Sequence, residues 1–235
     1  MDVLVVVPTY NERENLPTLV PYVLEREGYR LLIADDGSPD GTGALADELA
    51  ARWPGRLRVL HRTGPRGLGR SYVEAFAEAV REPVEVVCQM DADLSHDPAH
   101  LPAMVAAARD HDLVVGSRYL HGISVVNWPL YRIALSTGAN AYIRAVTGLP
   151  VRDCTSGFRC WRRDALARMP LDVIVSDGYS FQIEMLWEAT RLGFRVTEEP
   201  IVFVERREGQ SKLSRAVLLE ALWMPWRLRF GSRPG

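Results

Sequence analysis

The chain has 235 residues, 47% of them apolar, enough for a packed core in one large α/β domain or two small ones. Its formal net charge of −2 argues against a general nucleic-acid binder, so no nucleic-acid partner is expected. No uncharged apolar run reaches the length needed to span a bilayer.

Strands and helices alternate from the start, the pattern of a mostly parallel sheet with helices on its faces. Residues 3–7 read as a buried strand, with no charged leader before them. Asn11 and Glu14 have capping-box spacing for the next helix, which Pro17 and Pro21 should shorten or kink. Residues 30–34 form a second expected strand, ending at Asp35-Asp36, and the turn 37–41 feeds a helix over 42–52. A strand over 57–61 and a helix over 70–81 follow. The β-branched run 84–88 predicts a buried strand, then come a helix from Pro98 to about Arg109 and a strand over 113–116. Residues 128–146 are aliphatic and aromatic, interrupted by Arg132, Asn140 and Arg144. Further on, a helix over 181–192 and strands over 195–199 and 201–204 restore the α/β pattern. The segment 213–235 is a basic, tryptophan-bearing tail suited to a membrane surface. The three cysteines, Cys88, Cys154 and Cys160, lack zinc-knuckle spacing and read as unpaired thiols of a reducing compartment, hence a cytosolic or peripheral chain.

Polar residues repeatedly fall just after strand ends, where open α/β sheets bind ligands. The most informative group is Asp91-Ala92-Asp93. Two carboxylates one residue apart repel and raise each other's pKa unless a cation sits between them, and Mg²⁺ or Mn²⁺ chooses such oxygens. A helix start explains Asp97 as N-cap and Pro98 as first residue, yet leaves Asp91 and Asp93 unexplained. His96 reads as structural, because no second histidine is spaced to join it as a ligand. Tyr10 could stack on a flat base and Glu12 accept from it, although an ordinary strand–turn–helix junction also suits this stretch. Asp35 and Asp36 could cap a turn or contact a ribose or base. The loop 64–69 matches neither a P-loop nor a dinucleotide fingerprint and reads as a tight turn. Arg118, after another strand, could reach a phosphate. Arg206, Arg207 and Lys212 surround Gly209 in a basic loop that could close over a diphosphate, or merely form a solvated face.

Together these stretches resemble the family-2 inverting glycosyltransferases, and among them the polyprenol-phosphate (dolichol-phosphate) mannose synthases. The resemblance rests on PTYNERENL at residues 8–16, DDGSPDGT at 35–42, GLGRSY at 67–72 and DADLSHDP at 91–98. GSRY at 116–119, SGFR at 156–159, GYSFQIE at 178–184 and the loop from Arg206 to Lys212 complete it. It implies a GT-A (Rossmann-like) fold over residues 1–212, a GDP-mannose donor and a polyprenyl monophosphate acceptor. It implies that Pro8, Tyr10, Glu12, Ile33 and Asp35 hold guanosine, while Asp91, Ala92 and Asp93 face ribose, diphosphate and a divalent metal, Mg²⁺ or Mn²⁺. Arg118, Arg206 and Lys212 would bind phosphates, and Arg132 would help near the acceptor. Ser95 stands where some relatives carry a metal-binding glutamine, a longer and better ligand. Several relatives continue into transmembrane helices, which makes a membrane partner subunit a further candidate. The Gln-x-x-Arg-Trp motif of hydroxyl-directed relatives is missing, since Gln182 is followed by Ile183-Glu184-Met185. Transfer of another sugar, such as glucose from its UDP donor, and a non-catalytic scaffold are the competing readings.

Overall fold

The apolar run near the N-terminus forms β1 (Val3–Thr9), flanked by β2 (Tyr29–Asp35) and β4 (Val86–Gln89) in parallel register, and β3 (Leu57–His61) extends the sheet beyond β2. On the other side of β4 lie β7 (Arg159–Arg162), β5 (Leu113–Ser117) and β8 (Val196–Pro200), giving the order β3-β2-β1-β4-β7-β5-β8. Every neighbouring pair is parallel except those made by β7, which runs antiparallel to both β4 and β5. The α/β, mostly parallel sheet expected from the sequence is therefore present. Residues 1–174, 176, 178–205 and 215–231 are described by this computed structural model, Tyr179 and residues 215–221 by their backbone alone.

Alternation along β1 sorts its side chains onto two faces. Val3, Val5 and Val7 meet α1 (Leu16–Leu24), α2 (Thr42–Arg52) and α4 (Leu101–Ala107) in one buried layer. Leu4 and Val6 meet α3 (Leu68–Ala79) and α7 (Gly178–Arg191) in the other, which also takes in Ile143 of α5 (Leu130–Thr147) and Leu166 of α6 (Arg163–Leu166). Val125–Val126 (β6) and Phe203–Val204 (β9) form a small parallel pair beside the sheet edge where β5 ends.

Three local expectations change. The capping box at Asn11 does not form: Asn11 adopts φ 60°, and α1 starts after Asn15 with Pro17 in its first turn. Proline suits that place because no helical N–H is needed there, and the Asn15 side chain instead donates to Glu12 Oε2 at 2.7 Å. The helix expected from Pro98 is split into a 3-10 turn, Pro98–His100, and α4, which takes a second proline, Pro102, in its own first turn. Asp97 does cap this start, accepting from the Ala99 amide at 2.8 Å. The third change is covalent. Antiparallel pairing of β4 and β7 sets Cys88 opposite Cys160, with Cα atoms 4.1 Å apart, and the two are disulfide-bonded. The reading of three unpaired thiols is thus wrong for two of them, while Cys154 is a free thiol pushed up to about 12 by burial.

The tail forms α8 (Arg215–Phe230), which lies on α5 and α7. Met224 is buried, Tyr142 donates to the Leu222 carbonyl at 2.6 Å, and Trp226 Nε1 donates to Tyr142 Oη at 2.6 Å. Leu222, Trp223 and Phe230 stay exposed. Among the described residues no helix is long and apolar enough to cross a membrane.

One glycine decides how closely the strands pack. A Cβ built at Gly116 of β5 would stand 3.0 Å from the Ile201 Cγ2 and 3.2 Å from the Phe158 carbonyl oxygen. A β-branched side chain and a backbone atom cannot both retreat, so Gly116→Ala should cost about 1–3 kcal/mol by overpacking. Gly157→Ala, whose Cβ meets no atom closer than 3.5 Å, should cost less. Urea midpoints of the two variants check this; equal midpoints would sink it.

Candidate active site

Because the strands other than β7 run parallel, their C-terminal ends share one edge, where Thr9 stands opposite Asp35. The reversed β7 begins at that edge, with Arg159 opposite both Gln89 and Val115. Its direction carries the loop 153–158 to the place where β4 and β5 end. A strand read in the wrong direction would have put this loop at the far end of the molecule.

Asp91 and Asp93 follow β4. Leu94 turns the chain at φ 59°, and Ser95 then donates to Asp93 Oδ1 from its amide (3.1 Å) and its hydroxyl (2.6 Å). As placed, buried Ser95 orients the Asp93 carboxylate. Ala92, between the two acids, is buried. The Asp91 amide donates to His96 Nδ1 at 3.1 Å, so the ring proton belongs on Nε2. Burial pushes the His96 pKa down, against the pull of Asp91 and Asp93, which keeps the imidazole neutral. The ring stacks on Phe158 and meets Phe203 edge-on, with centroids 5.1 and 5.5 Å away. His96 is thus a packed support for the Asp91 backbone, as its lack of a histidine partner suggested.

Among the described residues no three His, Cys, Asp or Glu side chains gather into a full metal cage. What the edge offers is two partly exposed carboxylates beside a neutral ring. That donor set suits a hard divalent cation that keeps positions open for phosphate oxygens.

On the β1–β2 side, Asp35 accepts from Thr9 Oγ1 (3.1 Å), Ser38 N (3.1 Å) and Ser38 Oγ (2.6 Å). Glu12 holds its loop through Asn15, and its own amide donates to Thr42 Oγ1 at 3.0 Å. The Tyr10 ring carries the Arg66 guanidinium 5.0 Å from its centroid. Loop 64–69 is pinned by buried Arg62, which ion-pairs with Asp36 and Glu74, and by the Gly67 amide on Asp36. Pro8 is half-buried at the same edge. Ile33 lies on β2, two residues before Asp35. Its side chain is fully buried with Val5, Val7 and Leu31 and supports the sheet from below, because strand alternation turns it into the core.

Arg118, after β5, is buried and engages Asp153 with its fork: Nε to Oδ2 and Nη2 to Oδ1, both at 2.7 Å. Its amide donates to the same carboxylate at 3.0 Å and its Nη2 to Thr155 Oγ1 at 2.8 Å. Burial alone would raise the Asp153 pKa; the Arg118 charge and hydrogen bonds outweigh it and hold the carboxyl below its ordinary range. Arg132, in the first turn of α5, ion-pairs with Glu205 and lies 4.2 Å from the Trp128 ring centroid. Arg206 and Lys212 lie outside the described residues. Beneath the site Gln89 bonds Gln182 Oε1 (3.0 Å), the Gly157 carbonyl (3.1 Å) and Trp161 Nε1 (3.0 Å), fixing the SGFR loop to β4.

Sequence reasoning missed Asp153, Trp128, Phe203 and Arg66. For Asp153 the available signal was chemical: an arginine at a buried strand end needs an acid. No periodicity marked which acid.

The profile of glycosyl transferase family 2 matches residues 4–169. The chain belongs to that family. The glycosyltransferase is 46% identical over 222 residues to the polyprenol monophosphomannose synthase of Mycolicibacterium smegmatis, covering 94% of this chain and 84% of the relative. It is 44% identical over 223 residues to the undecaprenyl-phosphate mannosyltransferase of Micrococcus luteus, covering 94% and 91%. Among solved structures it superposes on glucosyl-3-phosphoglycerate synthase of Mycobacterium tuberculosis in complex with Mn²⁺, UDP and phosphoglyceric acid. That match has a TM-score of 0.65 at 20% identity, over 96% of this chain and 75% of the other. The complex of that enzyme with Mg²⁺ and UDP gives 0.63 at 20% identity, over 96% and 76%. At such identity these structures speak for the fold of the glycosyltransferase, which is the GT-A fold that the motifs implied.

Proposed function

We propose that this glycosyltransferase transfers mannose from GDP-mannose to a polyprenyl monophosphate with inversion, giving polyprenyl-phosphate mannose and GDP. One observation carries the reading: relatives bearing the names of that activity are 46% and 44% identical across 94% of the chain. An oxygen of the acceptor phosphate attacks the anomeric carbon. The bond from that carbon to the diphosphate breaks on the opposite face, and its electron pair leaves with GDP. A phosphomonoester is largely ionised at neutral pH, its second pKa being about 6, so no general base is needed.

Asp91 and Asp93 would hold a divalent metal, Mg²⁺ or Mn²⁺, which when bound supplies positive charge to the diphosphate. Ser95 would orient Asp93 rather than stand in for a longer ligand, since its hydroxyl already donates to that carboxylate. Tyr10, Glu12, Asp35 and Pro8 would receive the nucleoside. Arg118, locked on Asp153, would present a fixed rather than a swinging cation to phosphate. Arg206 and Lys212 would complete the diphosphate site.

Incubation with GDP-mannose and polyprenyl monophosphate should release GDP only when both are present, and EDTA should abolish it. UDP release from UDP-glucose instead would reassign the donor. No release with any donor would favour a non-catalytic scaffold.

A long-chain acceptor requires the active-site edge to work at the membrane surface. Leu130, Tyr131 and Leu135 of α5 and Leu222, Trp223 and Phe230 of α8 are exposed, and Arg227 and Arg229 accompany the latter. Tryptophan and arginine suit an anionic interface, each arginine adding about 1 kcal/mol. Trp223→Glu with Phe230→Glu should therefore reduce flotation with anionic vesicles at low salt severalfold, without loosening buried Met224. Unchanged flotation would remove α8 as an anchor.

A further inference from the structure

Trp128 ends the loop that leads into α5, and its indole nitrogen is shielded from solvent with no hydrogen-bond partner among the described residues. An indole N–H only donates, so leaving it buried and unmet is costly. Two cationic side chains lie close to the ring. The guanidinium carbons of Arg132 and Arg118 lie 4.2 and 5.6 Å from the ring centroid. The 18-residue helix α5 begins two residues after Trp128, so the positive end of its dipole lies there too. Phe203 meets the same ring edge-on at 5.5 Å and in turn packs on His96, which supports the Asp91 amide. The indole is thereby held by a continuous aromatic packing that leads to the two carboxylates.

A donor-only group, two guanidinium groups and a helix start converge on one ligand chemistry, an oxyanion with several acceptor atoms. Asp153 and Glu205 already pair with Arg118 and Arg132 and offset part of their charge, and the indole N–H adds a further donor beside them. We propose that Trp128 is a substrate-binding residue whose indole N–H donates to a phosphate oxygen held between Arg118 and Arg132. The identity of that phosphate as acceptor or donor rests on the mannosyltransferase reading; the N–H contact does not. Its role is to orient the oxyanion rather than to neutralise it.

Trp128→Phe keeps an aromatic ring for both arginines and for Phe203 and removes the N–H. Calorimetric titration should be run on wild type and variant with GDP plus Mn²⁺, then with a short-chain polyprenyl monophosphate added to that complex. A hydrogen bond to a charged partner corresponds to about a tenfold or greater weakening. Weakening confined to the monophosphate assigns the N–H to the acceptor, and weakening confined to GDP assigns it to the donor diphosphate. Wild-type affinity for both would overturn the proposal. If the phenylalanine variant does not fold, 3-benzothienylalanine at position 128, which replaces N–H by sulfur at constant shape, gives the same reading. Binding is measured apart from turnover, so a wild type that binds both ligands yet releases no GDP would refute the mannosyltransferase reading and leave this assignment standing.

Discussion

Asp93→Asn is expected to lower turnover by about a hundredfold or more while leaving the melting temperature within a few degrees of wild type. The amide retains an oxygen in place of the Oδ1 that accepts from the Ser95 amide and hydroxyl, so the turn after β4 survives. What it removes is a negative charge beside Asp91, which relieves repulsion in the metal-free protein. The loss falls on the reaction, where the diphosphate leaves with more charge than it had when bound. Interactions aimed at developing charge are worth about 10²–10³ in rate when one is deleted. Acceptor-dependent GDP release and thermal melting check the two halves separately. Full activity of the variant, or of wild type in excess EDTA, removes the metal from the mechanism.

The second large effect is expected at a residue with no role in the sequence reading. Asp153→Asn leaves the buried Arg118 guanidinium facing an amide, and breaking a buried pair from one side costs about 3–5 kcal/mol. For a chain of this size that is a fall in melting temperature on the order of 10 °C. Activity should fall with it, because Arg118 loses the bidentate partner that aims it along the active-site edge. The pH dependence follows from the depressed pKa of Asp153. Its ionised form is favoured by folding, so the stabilisation is complete above the unfolded carboxyl value of about 3.9 and is lost as pH falls through the lower folded value. Wild type should therefore lose stability steeply below about pH 4, and the asparagine variant should show a shallower loss. Parallel stability–pH profiles would mean that Arg118 draws its support elsewhere.

Much of the sheet could be read directly because β1, β2, β4 and β5 carry continuous apolar runs, the mark of strands buried on both faces. Residues 42–52 and 57–61 were bounded correctly by the turn chemistry around them. β7 was not, because Arg159-Cys160-Trp161-Arg162 looks half charged; Arg159 is nevertheless fully buried, on carbonyls of Ser156 and Cys154. Burial pushes its pKa down to about 10, which still leaves it cationic at neutral pH. Sequence patterning assigns polarity and cannot see that backbone carbonyls will satisfy a charge.

What the sequence by itself determined is local: alternating apolar runs, the strand-end position of Asp91 and Asp93, the cap at Asp97, and the order of motifs that marks the family. Those signals act within a few residues and survive without knowledge of neighbours. Only the tertiary structure decided which distant groups meet. The reversed β7 joins Cys88 to Cys160 across 72 residues, and the loop before it carries Asp153 to Arg118 across 35. Trp128 is likewise brought beside two arginines by the packing of α5 and β9. Such pairings are fixed by strand direction and by the cost of burying charge without a partner, and both are properties of the assembled sheet rather than of any stretch of chain.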